Sequence, residues 1–111
     1  MRPDSLRGPD AGTLLVRALR AQAMAASVVI AVRSIATRPW ASATFIGAGH
    51  RIAVEAEPGE SFDRWIATIP ESEWIIRGHL VADLIVDRII LNGGNASVSI
   101  SILTIEDTEP S

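Results

Sequence analysis

Apolar and polar positions change their period several times along this chain, and each change marks an expected element. Within "AGTLLVRALRAQAMA", residues 11–25, Leu14, Leu15, Ala18, Leu19 and Gln22 fall at helical spacing, while Arg17 and Arg20 lie off the stripe. Asp10 stands where an N-cap belongs, its carboxylate placed to accept an N–H of the first turn. No glycine or proline closes this helix. Its end falls either near Ala26, where "SVVIAVRSIAT" begins to alternate Val28, Ile30 and Val32 with Val29, Ala31 and Arg33, or further on toward Arg38.

Arg38-Pro39-Trp40 is read as a break, because proline cannot donate to a backbone ladder. Residues 41–59 then read as a hairpin. Ala43, Phe45, Ile52, Val54 and Ala56 share one parity, and Ser42, Thr44, Arg51, Glu55 and Glu57 take the other. Gly47-Ala48 fits a type II′ turn, since glycine accepts the positive φ of its first position, and a longer loop through Gly49 would keep the same faces in another register. After the Pro58-Gly59 turn, "ESFDRWIATIP" predicts a short helix with Phe62, Trp65, Ile66 and Ile69 on its apolar stripe, limited by Pro70.

The last third predicts a long β-hairpin. Ile76, Gly78, Leu80, Ala82, Leu84, Val86 and Ile90 alternate along one arm, and "ASVSISILTI" alternates along the other. A two-residue Gly-Gly loop would set Leu84 and Val86 against Leu103 and Ser101, mixing an apolar row with a serine row. A three-residue loop, Asn92-Gly93-Gly94, sets Leu84 against Ile102, Val86 against Ile100 and Arg88 against Val98, and is the expected register.

These elements give one domain over residues 10–106, with loose tails at 1–9 and 107–111. The fold class is α+β: a five-stranded, mainly antiparallel sheet in the order helix-strand-strand-strand-helix-strand-strand, with the helices packed on one face.

His79, Asp83 and Asp87 recur four apart and raise the question of a metal or proton-transfer site. On a strand at roughly 3.4 Å per residue they span about 27 Å, too far to share one ion. No catalytic, cofactor-binding or metal-binding residue is therefore assigned, and no cofactor is expected. Asp83 and Asp87, about 14 Å apart on such a strand, are also too distant for a glycosidase pair. "GAG" at 47–49 lacks the setting of a dinucleotide fingerprint.

Composition narrows the classes further. Without cysteine the chain has no disulfide, zinc-thiolate site or thiol nucleophile. All ten basic residues are arginine, which with the many alanines reads as the coding bias of a GC-rich bacterium. Residues 1–51 hold seven arginines and two acids, and residues 52–111 hold three arginines and eleven acids. The arginines are scattered singly without interleaved aromatics, so the two halves are expected to neutralise each other rather than bind nucleic acid. The longest apolar-and-small run, "AMAASVVIAV", is about half the ~20 residues of a membrane span and follows two arginines, unlike a cleaved signal. No membrane partner is expected, and the default compartment is the cytoplasm.

The expected role is a non-enzymatic module that self-associates, as a homodimer, or binds a protein partner through a half-apolar sheet face. Val81, Ile85, Ile89, Leu103 and Ile105 are the expected contact residues, because one layer of helices cannot cover both faces of a sheet. The competing expectation is a small-molecule-binding domain or enzyme, with a pocket between sheet and helices lined by Trp40, Trp65 or Trp74 and with His50 or His79 as its polar group.

Overall fold

A computed structural model describes residues 10–106; the tails expected at 1–9 and 107–111 lie outside the described residues. Helix α1 (Ala11–Ala25) starts at Asp10, whose carboxylate accepts the Thr13 N–H at 2.9 Å. It ends without glycine because Ser27 itself takes the left-handed conformation, φ 67°. The Val28 N–H then reaches the Ala23 carbonyl at 2.8 Å and the Ser27 N–H that of Met24 at 2.9 Å. Those two bonds are a Schellman closure with serine in the usual glycine position. They settle the open boundary near Ala26.

The remaining elements are β1 (Ala31–Ala41), β2 (Ile46–Ala56), α2 (Glu60–Thr68) with a 3-10 turn at Ile69–Glu71, β3 (Ile75–Ile76), β4 (His79–Asn92) and β5 (Asn95–Glu106). The strands form one curled antiparallel sheet in the order β1-β2-β5-β4-β3. The α+β class and the five strands are as the periodicity predicts. Their distribution differs, with two strands before α2 and three after it.

Three local readings account for that difference. Pro39 does not break the chain but lies inside β1, opposite Ala48. β1 is an edge strand, where a missing N–H leaves no partner unsatisfied. Gly47-Ala48 is not a turn but the interior of β2; the chain reverses at Ser42–Phe45, where the Ser42 N–H donates to the Phe45 carbonyl at 2.8 Å. The Ser42 hydroxyl accepts the Phe45 N–H at 3.0 Å and so fixes the reversal. Finally, Gly78 at φ 81° turns the chain between β3 and β4, cutting the expected long arm in two.

The last hairpin also closes differently. Its loop is two residues, Gly93-Gly94, with Asn92 opposite Asn95 and Gly93 at φ 57°, the positive value a two-residue hairpin needs at that position. A regular ladder from this loop would oppose Val86 to Ser101. A β-bulge at Asp87 inserts one residue and restores Val86 to Ile100 and Leu84 to Ile102, while Arg88 pairs with Ser99 instead of Val98. A second bulge at Ala82 sets Val81 opposite Thr104 and His79 opposite Glu106. Burial of the apolar row was satisfied by bulges rather than by a longer loop.

Both helices lie on one face of the sheet. Leu15 and Leu19 of α1 and Phe62, Trp65 and Ile69 of α2 and its 3-10 turn pack on Ile52, Val54, Val98, Ile100 and Ile102. Gln22, the polar member of the α1 stripe, is used at the contact between the helices: its Oε1 accepts the Trp65 indole N–H at 3.1 Å, and its amide donates to the Ser72 hydroxyl.

Candidate functional site

The face turned away from the helices can be read in cross-strand rows, because directly paired residues share a face. One row is apolar across all five strands: Trp40, Gly47, Ile105, Leu80 and Ile75. The next reads Arg38, Gly49, Leu103, Asp83, and the one after it Ala36, Arg51, Ser101, Ile85. A further row, Ser34, Ala53, Ser99 and Arg88, is polar and small but for the arginine. Asp87, in the bulge, accepts a hydrogen bond from the Ser101 hydroxyl.

Glycine shapes this face in two ways. At Gly49 a Cβ would meet nothing within 4 Å, so the backbone there floors an open groove of about 750 Å³ between Arg38, Arg51, Asp83, Ile85 and Leu103. At Gly47 the space is already taken. The Trp40 ring lies across it, and a Cβ would stand 2.7 Å from that ring and 2.2 Å from the Thr104 carbonyl oxygen.

Of the five expected contact residues, Ile85, Leu103 and Ile105 lie on this outer face. The two-residue loop turns Ile89, and the bulge at Ala82 turns Val81, to the helix side, opposite Val98 and Thr104. The bulges also split the polar line of the sequence. His79 goes to the helix side with Val81, whereas Asp83 stands on the outer face and Asp87 bonds to Ser101 there. Arg38, Gly49 and Arg51 were not singled out from the sequence. No apolar–polar alternation marks residues 34–40 or 47–53, because Thr37 and His50 face the helices and Trp40 faces out, and Pro39 and Gly47 read locally as breaks.

The expected pocket residues do not share one cavity. Trp65 is fully buried in the core, and Trp40 sits on the outer face. Trp74 donates its indole N–H to the Ile69 carbonyl at 3.2 Å and borders, with His79, an open notch of about 740 Å³ beside β3. His50 is 3 % exposed on the helix side of β2, under the start of α1.

His50 is held as a neutral ring. The Thr104 hydroxyl donates to the Ala48 carbonyl at 3.3 Å, so it accepts the His50 Nε2–H at 2.9 Å. Nδ1 is then left to accept from the Thr37 hydroxyl at 3.0 Å. Burial pushes the His50 pKa below the ordinary 6.5, the charge of His79 lowers it further, and Asp10 opposes both. Between that lowered value and the unfolded value the unfolded chain binds more protons, so stability rises with pH across the window. The His50 contribution is complete above pH 6.5 and is lost as pH falls through the lowered folded value. Denaturant unfolding from pH 7.5 to 5 is expected to show this loss, and His50→Gln to flatten it; an unchanged slope in the variant would remove His50 as the cause.

Among the described residues, no three His, Cys, Asp or Glu side chains come together where a metal ion could be held. No described helix is long and apolar enough to cross a membrane. Compared with protein-family models, with curated proteins and with solved structures, the chain finds no significant match.

Proposed function

We propose that this chain is a non-enzymatic module that self-associates through the outer face of its sheet. The observation that carries the reading is the apolar row Trp40–Gly47–Ile105–Leu80–Ile75, with Leu80 57 % and Ile75 87 % exposed. A row of that length in water favours a partner, because burying it removes apolar surface from solvent. Area agrees with this. Four strands of eleven or more residues, about 4.8 Å apart, present roughly 19 by 35 Å, or about 670 Å², approaching the ~800 Å² per partner of a stable interface.

Edge-to-edge growth is disfavoured by the same sheet. β1 carries a bulge at Arg33 and Pro39, and β4 carries bulges at Ala82 and Asp87. Bulges, charges and proline are the devices that block strand addition, so the face is the surface left for association. A bacterial cytoplasmic setting belongs to the proposal on composition alone.

The test is multi-angle light scattering with sedimentation equilibrium on the full chain. A dimer is expected at tens of micromolar. Ile85→Arg, at a position 49 % exposed in the single chain, is expected to weaken it at least about tenfold with the circular dichroism of the fold unchanged, since the new charge would be desolvated in the contact. A wild-type chain that stays monomeric at high micromolar concentration would overturn the proposal.

The groove over Gly49 supports a second reading, small-molecule binding on this same face between Arg38, Arg51 and Asp83. A thermal-shift screen of metabolites against wild type and Arg51→Ala separates the two. A ligand that stabilises only the wild type, on a monomeric chain, favours the groove.

A further inference from the structure

Resting on the reading of the outer face as a self-association surface, we infer that two copies meet face to face about a two-fold axis parallel to the strands, running between β2 and β5. In this arrangement Arg38 of each copy meets Asp83 of the other. The inference comes from how each cross-strand row would match its own reverse. A rotation about such an axis keeps a residue's height along the strands and exchanges β1 with β4 and β2 with β5. Over these four strands every row is therefore laid on itself backwards, and the two-residue β3 with Ile75 lies beyond the contact.

The row Arg38–Gly49–Leu103–Asp83 is self-complementary under that operation. Its ends carry opposite charges, so each arginine falls on an aspartate. Its middle pairs the one position without a side chain with a large one: Leu103 of one copy enters the open space over Gly49 of the other. The neighbouring row, Ala36–Arg51–Ser101–Ile85, behaves alike. Ile85 falls on Ala36, and Arg51 falls on Ser101, whose hydroxyl already donates to Asp87, so a second arginine is brought to a second aspartate. One row further, Arg88 falls on Ser34.

Size follows the same division as charge. Below the Trp40 row, the β1 and β2 half of the face is small between its arginines (Ser34, Ala36, Gly49, Ala53), and the β5 and β4 half carries Leu103 and Ile85. Self-complementary contacts of this kind, residue i on j and j on i, are what a two-fold interface requires. A two-fold axis running across the strands instead would lay the half bearing Arg38 and Arg51 on itself and the half bearing Asp83 and Asp87 on itself. Like charges would then face each other in a drying contact, which costs association. Two sheets with nearly aligned strands are also an ordinary way for faces to pack.

The test is a charge exchange read by sedimentation equilibrium. Arg38 and Asp83 are both exposed in the single chain, so neither substitution disturbs its core. Arg38→Asp alone and Asp83→Arg alone are each expected to raise the dimer Kd roughly tenfold or more, because each homodimer then holds two like-charge contacts. Mixing the two variants in equal amounts is expected to restore a dimer within a few-fold of the wild-type Kd, since both contacts become Asp–Arg again. Gly49→Leu is expected to weaken the dimer as well, by filling the space Leu103 needs, while leaving the monomer's unfolding transition in place. A monomeric wild type would remove the self-association reading itself. A dimeric wild type whose charge variants associate normally, or whose mixture shows no recovery, would leave self-association standing and overturn this axis.

Discussion

Trp65→Ala is expected to lower the unfolding free energy by about 3–5 kcal/mol, the range for truncating a large buried aromatic. Trp65 has no exposed surface and lies between both helices and the sheet, its ring tilted 57° to that of Phe62 at 6.2 Å. Truncation opens a cavity that rigid neighbours such as Ile100 and Leu19 fill only in part. It also removes the donor to Gln22 Oε1, leaving a half-buried amide oxygen without its protein partner. Small domains hold only about 5–15 kcal/mol in total, so the variant is expected to be close to unfolding at 37 °C. Trp65→Phe separates the two effects, refilling most of the volume while still orphaning Gln22. Urea unfolding of the three proteins is the measurement, and a loss below about 1 kcal/mol for the alanine variant would contradict the packing described.

Gly47→Ala is expected to cost at least about 1–3 kcal/mol, the usual penalty for overpacking. A single methyl at this position must enter within 2.2 Å of the Thr104 carbonyl oxygen and 2.7 Å of the Trp40 ring. The ring can swing away, but the carbonyl belongs to the central β5 ladder and cannot retreat without breaking the pairing of β2 with β5. Gly49→Ala, two residues along the same strand and on the same face, is the internal control. Its added Cβ meets nothing, so its effect is expected within about 0.5 kcal/mol. The near-ultraviolet signal of Trp40 should change in the first variant and not in the second. Equal effects at the two glycines would contradict the crowding at Gly47, because the loss of unfolded-state freedom favours alanine alike at both positions.

This contrast shows why parts of the sheet were hard to read in advance. In its local sequence Gly47 reads as a turn, the commonest use of glycine there. Neither Gly47 nor Gly49 has positive φ, and both lie within a straight strand, one to admit a neighbouring carbonyl and the other to leave a groove. A tetrapeptide cannot tell those uses apart, because the crowding atoms come from Trp40 and Thr104, the latter some 57 residues away. Proline misled in the same manner. Whether Pro39 breaks a strand depends on whether its missing N–H would have faced a partner, and β1 has none on its outer side.

The two helices and the last strand were determined by the sequence alone. Asp10 capped α1, the stripes of Leu15, Leu19, Phe62, Trp65 and Ile69 faced inward, and the alternation of residues 96–104 ran through β5 without a fault. Each rests on interactions between residues close along the chain or on a period repeated many times, and a single misread residue does not erase such a pattern. The face carried by each residue of β4 was decided only by tertiary structure. The two-residue loop set Ile89 inside and Ile90 outside, and the bulges at Asp87 and Ala82 then left Asp83 and Ile85 outside and Val81 and His79 on the helix side. A bulge costs little locally and leaves no mark in composition. It forms where burial of Leu84 and Val86 against Ile102 and Ile100 outweighs the regularity of the ladder, and that balance exists only once β5 lies beside β4.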